Sequence, residues 1–91
     1  MVIKIKVFYY ASVKDIIKKP YDTFELNTDT LESTNSVFKM ILSKYNNDEK
    51  ELNEVFKNCI LSLNDEYIDK DKAITLKEGD ELSVLPPISA G

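Results

Sequence analysis

The sequence predicts an α+β domain with a strand at each end and helices between them. Three observations carry that prediction. Val2 to Tyr10 alternates, with Ile3, Ile5 and Val7 on one side and Lys4 and Lys6 on the other, the period of a strand buried on one face. Thr34, Val37, Phe38, Ile41, Leu42 and Tyr45 recur at helical spacing. Glu81 to Leu85 reads as a final strand that stops at Pro86 and Pro87, because proline has no N–H to give to a sheet ladder.

In chain order, the first strand ends in Phe8-Tyr9-Tyr10, apolar on both sides. Ser12 to Asp15 offers capping chemistry for a short helix through Ile16 and Ile17, bounded by Pro20. Tyr21 to Leu26 is a second strand with imperfect alternation, and the short connection predicts an antiparallel pair. Asn27 to Thr30 is a polar break, after which the main helix is expected over Leu31 to Tyr45. Asn46-Asn47-Asp48 ends it. Glu49 to Lys57 reads as a shorter helix with Leu52, Val55 and Phe56 inward. Cys59 to Leu63 is a short apolar strand, and Asn64-Asp65 is turn chemistry. Tyr67-Ile68 forms a brief strand, Ile74 and Leu76 point inward, and Glu78-Gly79-Asp80 turns into the final strand. This order within about 85 residues fits a β-grasp, the ubiquitin-like arrangement. Its mixed sheet has the first and last strands parallel at the centre and the main helix packed on one face. The chain divides into a β-grasp domain over 1–85 and an extended C-terminal tail over 86–91.

Ninety-one residues make one domain with a modest core, and 43% hydrophobic content indicates a folded chain. The single cysteine excludes an internal disulfide framework. Neither a signal-peptide pattern nor a spanning apolar run is visible, so the expectation is a soluble cytoplasmic protein that uses no membrane. The net charge is −4 with interleaved signs, and with no basic stripe, nucleic acid is not an expected partner. A mildly acidic chain suits a basic pocket on another protein.

The side-chain chemistry is sparse. With no histidine and one cysteine, no metal site is expected, and two glycines make no phosphate loop. Two readings stay open for Cys59: a small buried hydrophobe, or a reactive sulfur acceptor with only Lys57 near enough in sequence to lower its pKa. Asp69-Lys70-Asp71-Lys72 lacks calcium-loop spacing and reads as a solvated loop. What remains is the C-terminus. Pro86-Pro87-Ile88-Ser89-Ala90-Gly91 carries no charge except its carboxylate, and consecutive prolines favour an extended backbone that points away from the domain. Such a tail could carry its terminal carboxylate into a narrow site on a partner. The bland alternative is a frayed terminus.

Three stretches together resemble the small, sulfur-carrying subunit of molybdopterin synthase. They are Ile5-Lys6-Val7-Phe8-Tyr9-Tyr10-Ala11, Leu63-Asn64-Asp65-Glu66-Tyr67-Ile68, and Glu78-Gly79-Asp80-Glu81-Leu82 followed by Val84-Leu85-Pro86-Pro87-Ile88-Ser89. The likeness covers essentially the whole chain. It implies that an E1-like enzyme adenylates Gly91 with ATP and that the adenylate becomes a thiocarboxylate. It implies no permanently bound cofactor. It further implies a large catalytic subunit, in a two-plus-two heterotetramer, that receives Pro86, Pro87, Ile88, Ser89 and Ala90 as an inserted tail. There the sulfur would build the dithiolene of molybdopterin from cyclic pyranopterin monophosphate. Tyr10, Tyr67 and Leu85 stand at the resemblance's contact positions, with ordinary core as the alternative for Leu85.

One departure stands out: the family pattern ends in Gly-Gly, whereas this chain ends Ala90-Gly91. The alanine is a tolerated substitution, an engineered one, or the mark of impaired activation. Two rivals follow: a ubiquitin-related carrier or modifier for other thiolation, and a non-catalytic interaction domain.

Overall fold

The computed structural model describes residues 2–69 and 71–86. Strand β1 (Ile3–Tyr9) alternates buried and open positions along its length. Helix α1 (Ala11–Ile17) and strand β2 (Tyr21–Leu26) follow. β1 and β2 pair antiparallel, with Ile3 opposite Leu26 and Phe8 opposite Tyr21. Helix α1 starts one residue before the expected cap, and Tyr10 at its N-cap position makes no side-chain capping bond. The sharp exit from β1 runs through Ala11 at φ 50°, a left-handed conformation that costs a non-glycine residue about 1 kcal/mol.

The two helices of the middle segment are α2 (Thr34–Lys44) and α3 (Glu49–Phe56), joined by a 3₁₀ turn over Asn46–Asp48. Helix α2 begins at Thr34, the first residue of the helical spacing, three residues after the expected start at Leu31. Thr30–Leu31 is instead a short strand, β3, paired antiparallel with β6 (Ile74–Thr75) in a separate two-stranded ladder. Strands β4 (Ile60–Leu63), β5 (Glu66–Ile68) and β7 (Glu81–Leu85) complete the main sheet. Its order is β2-β1-β7-β4-β5, with β1 and β7 parallel at the centre. That is the α+β β-grasp predicted from the sequence.

The core lies between one sheet face and the helices. Val7, Val13, Val37, Ile41, Leu52, Leu82 and Val84 are fully buried in it, and the Phe38 and Phe56 rings stack with centroids 4.7 Å apart. The irregular alternation of β2 has a physical reason. Asp22 takes an inward position, opposite Val7, and is only 5% exposed. It survives there because Tyr9 and Tyr45 donate hydrogen bonds to it and the Lys44 and Lys19 ammoniums lie 3.2 and 3.6 Å away. A buried carboxylate without such partners would cost several kcal/mol.

Candidate docking face and tail site

Among the described residues no helix covers the second face of the main sheet, and strand register shows which residues share that face. Phe8 lies opposite both Tyr21 of β2 and Ser83 of β7. Ser83 lies opposite Ser62, and Ser62 opposite Tyr67. One row therefore crosses the sheet as Tyr21, Phe8, Ser83, Ser62 and Tyr67. Two residues nearer the end of β7, Leu85 lies opposite Ile60, and Tyr10 follows the last β1 residue paired with β7. Lys6 and Glu81 form the opposite, charged margin.

Several of these side chains are apolar and open. Tyr67 is 76% exposed, Ile60 51%, Tyr10 45% and Tyr21 43%. Leu85 and Phe8 are half-buried, so Leu85 belongs to the margin of this face and not to the core. The Phe8 and Tyr21 rings meet at 5.4 Å, and the Lys6 ammonium sits 5.2 Å over the Tyr21 ring. A cluster of uncovered aromatic and aliphatic groups marks an interaction surface more than a scatter of single residues would. The sequence named Tyr10, Tyr67 and Leu85. It missed Tyr21 and Ile60, which only strand register brings to the same face.

Two turns fix the start of β7. Gly79 adopts φ 86°, and a Cβ there would meet nothing within 4 Å, so its requirement is conformational and not steric. The Asp80 carboxylate accepts from the Lys77 N–H at 2.7 Å and from Asn64 Nδ2 at 3.1 Å. Asn64 Oδ1 in turn accepts the Glu81 N–H at 3.1 Å. These bonds explain why an asparagine turn and an acidic glycine turn occur together in the chain: each completes the other across two loops. From there β7 runs along the sheet centre to Leu85 and the half-buried Pro86. Pro87, Ile88, Ser89, Ala90 and Gly91 lie outside the described residues.

Cys59 is half-buried, and its thiol donates to the Val55 carbonyl at 3.2 Å. Burial pushes its pKa up to about 11, which leaves little thiolate near neutrality and favours the packing reading over a reactive sulfur. Among the described residues, no helix is long and apolar enough to cross a membrane, and no three metal-ligating side chains gather.

A central parallel strand pair, helices on one face and an open apolar face beside the C-terminal strand define a ubiquitin-like β-grasp protein. The profile of the ThiS family matches residues 7–91, and the chain belongs to that family. It is 32% identical over 88 residues to the molybdopterin synthase sulfur carrier subunit of Chlamydomonas reinhardtii, spanning 97% of this chain and 99% of that protein. Among solved structures, the complex of subunits 1 and 2 of molybdopterin-converting factor from Helicobacter pylori contains a similar chain. It is 26% identical with a TM-score of 0.62, over 98% of this chain and 100% of that one. The small archaeal modifier protein 1 of Methanosarcina acetivorans shares the fold at a TM-score of 0.70 and 18% identity, over 100% and 99% of the two chains.

Proposed function

We propose that this chain is a sulfur carrier in molybdenum cofactor biosynthesis, acting as the small subunit of a molybdopterin synthase. The observation that carries the reading is the meeting of two features at one end of the sheet. The central strand β7 delivers Leu85 and Pro86 there, and the open apolar face formed by Tyr10, Ile60 and Tyr67 lies alongside. A large subunit gripping that face would hold the last residues of the chain at its own active site. The relatives' name and the Helicobacter pylori two-subunit complex support such a partner.

The chemistry follows from the poor electrophilicity of a carboxylate. An E1-like activating enzyme joins the Gly91 carboxylate to the α-phosphate of ATP and releases pyrophosphate. A sulfur donor then displaces AMP from the acyl-adenylate and leaves a thiocarboxylate. Tethered by Pro86, Pro87, Ile88, Ser89 and Ala90, that sulfur attacks a carbon of cyclic pyranopterin monophosphate in the large subunit at high effective concentration as a carbon–oxygen bond of the substrate breaks. Water then cleaves the acyl–sulfur bond, leaving the sulfur on the substrate and returning the Gly91 carboxylate. We assign two small and two large subunits to the assembly, and its work to the cytoplasm, where ATP and reduced sulfur are both held.

Intact-mass measurement after incubation with activating enzyme, ATP and a sulfur donor tests the reading. The expected product has one oxygen of the chain replaced by sulfur. An unchanged mass, with an activating enzyme that thiolates its own carrier, would overturn it.

A further inference from the structure

Strand β5 is an edge strand: among the described residues it pairs on one side, with β4. Next to this strand lies a groove of about 360 Å³. Tyr67, Ile68 and Asp69 line it from β5 and its end, Cys59, Ile60 and Leu61 from β4 and its start, and Thr34 from α2. Ile60 and Tyr67 belong both to the groove and to the open face, so the two adjoin.

We propose that this edge and its groove receive an extended segment of the large subunit, which adds a strand to the sheet beside β5. The inference rests on the sulfur-carrier reading above. A small molecule would have no use for a free strand edge, whereas a polypeptide satisfies its N–H and C=O groups by β-addition and finds specificity in pockets for alternate side chains. Period-two geometry fits the two surfaces here. Inward side chains of the added strand would enter the groove against Ile68 and Cys59. Outward ones would lie against Tyr67 on the open face.

Charge specifies the segment further. Residues 64–69 carry Asp65, Glu66 and Asp69 and no cation, and Lys72 reaches Asp69 only through an exposed 3.5 Å pair. An incoming strand that alternates apolar side chains with lysine or arginine would complement this edge. Its association would gain mainly in rate and would weaken with salt.

The test is hydrogen exchange and Cys59 alkylation by N-ethylmaleimide, on the full chain alone and with the large subunit. In the complex, the amides of 66–69 that exchange fast in the free protein should slow at least about tenfold, and alkylation should slow at least about fivefold as the groove fills. Glu66→Lys with Asp69→Lys should lower the association rate about tenfold at low salt and much less at high salt. A complex that forms while both the amides and Cys59 behave as in the free chain would overturn the edge proposal and leave the carrier reading standing. Failure of any complex to form would sink both. Protection that grows with the chain's own concentration would assign the edge to a second copy, and protection by the activating enzyme alone would assign it there. Either result overturns the proposal.

Discussion

The Tyr9 phenol donates a 2.9 Å hydrogen bond to Asp22 Oδ2, and the Tyr45 phenol donates to the same oxygen. Asp22 Oδ1 faces the Lys44 and Lys19 ammoniums. One buried carboxylate thus ties the end of α2 to β1 and β2. Tyr9 pairs with Val84 of β7 and precedes Tyr10 of the open face, so the tie lies directly beneath the proposed docking end.

Acid should loosen this tie. Burial pushes the Asp22 carboxyl up, but hydrogen bonds from Tyr45, Tyr9 and Lys44, with the Lys44 charge, outweigh it and hold the pKa below the ordinary value. A depressed pKa contributes stability that is full above the unfolded value of about 3.9 and lost as pH falls through the folded one. At the alkaline end, burial and the Asp22 charge raise both phenols, so their contribution is full below about pH 10 and declines above it. Asp22→Asn should cost about 2 kcal/mol at pH 7 in urea unfolding. The gap to the parent chain should narrow below about pH 4. An equal gap at pH 7 and pH 3 would show that the charge is not its source.

Tyr67→Asp should weaken binding to the large subunit at least about tenfold while leaving the fold intact. At 76% exposure the ring contributes little to the core, and a charge in its place would be desolvated on docking. Calorimetry of the complex checks the first effect and thermal unfolding of the free chain the second. Unchanged affinity would remove this face from the interface.

The parts of the fold legible in the sequence are those with long periodicity. Ile3-Ile5-Val7 and Leu82-Val84 alternate because one face of each strand is buried, and α2 shows its apolar stripe. Strands β3 and β6 escaped because two residues each carry no period; only their mutual pairing makes them strands. The inward Asp22 was equally hidden, since the residues that make its burial tolerable, Tyr45 and Lys44, lie more than twenty positions away in the chain. The open face was legible in part. Tyr10, Tyr67 and Leu85 came from the family resemblance, whereas Tyr21 and Ile60 join them only through cross-strand register.

Deleting Gly91 should separate stability from function. The residues after Pro87 include one large side chain, Ile88, and a terminal segment of small residues contributes little to a folded core. The melting temperature should stay within about 1 °C of the parent, while sulfur transfer to the large subunit is abolished. A fall of several degrees would make the end of the chain structural and would remove the main physical support for a carrier.

Ala90→Gly gives a Gly-Gly end and takes one methyl from beside the carboxylate proposed to carry the sulfur. Two effects oppose each other. Glycine reaches positive φ freely, whereas alanine there costs on the order of 1 kcal/mol, and a narrow tunnel would add a steric cost for the methyl. Against this, a glycine tail loses more backbone entropy on docking, worth about 0.4–1 kcal/mol. Where the tail threads a tight channel, relief of the clash outweighs the entropy, and thiocarboxylate formation or transfer should quicken several-fold. Where the channel already accommodates alanine, the two costs nearly cancel and rates should stay within a factor of about three. The fold should be indifferent in both cases, so equal melting temperatures are expected. Side-by-side rates of adenylation, thiocarboxylate formation and molybdopterin yield, with the same activating enzyme and large subunit, decide between these outcomes. A marked drop in all three for the Gly-Gly form would show that the partners are fitted to the Ala90 methyl, and that the methyl is a contact and not a handicap.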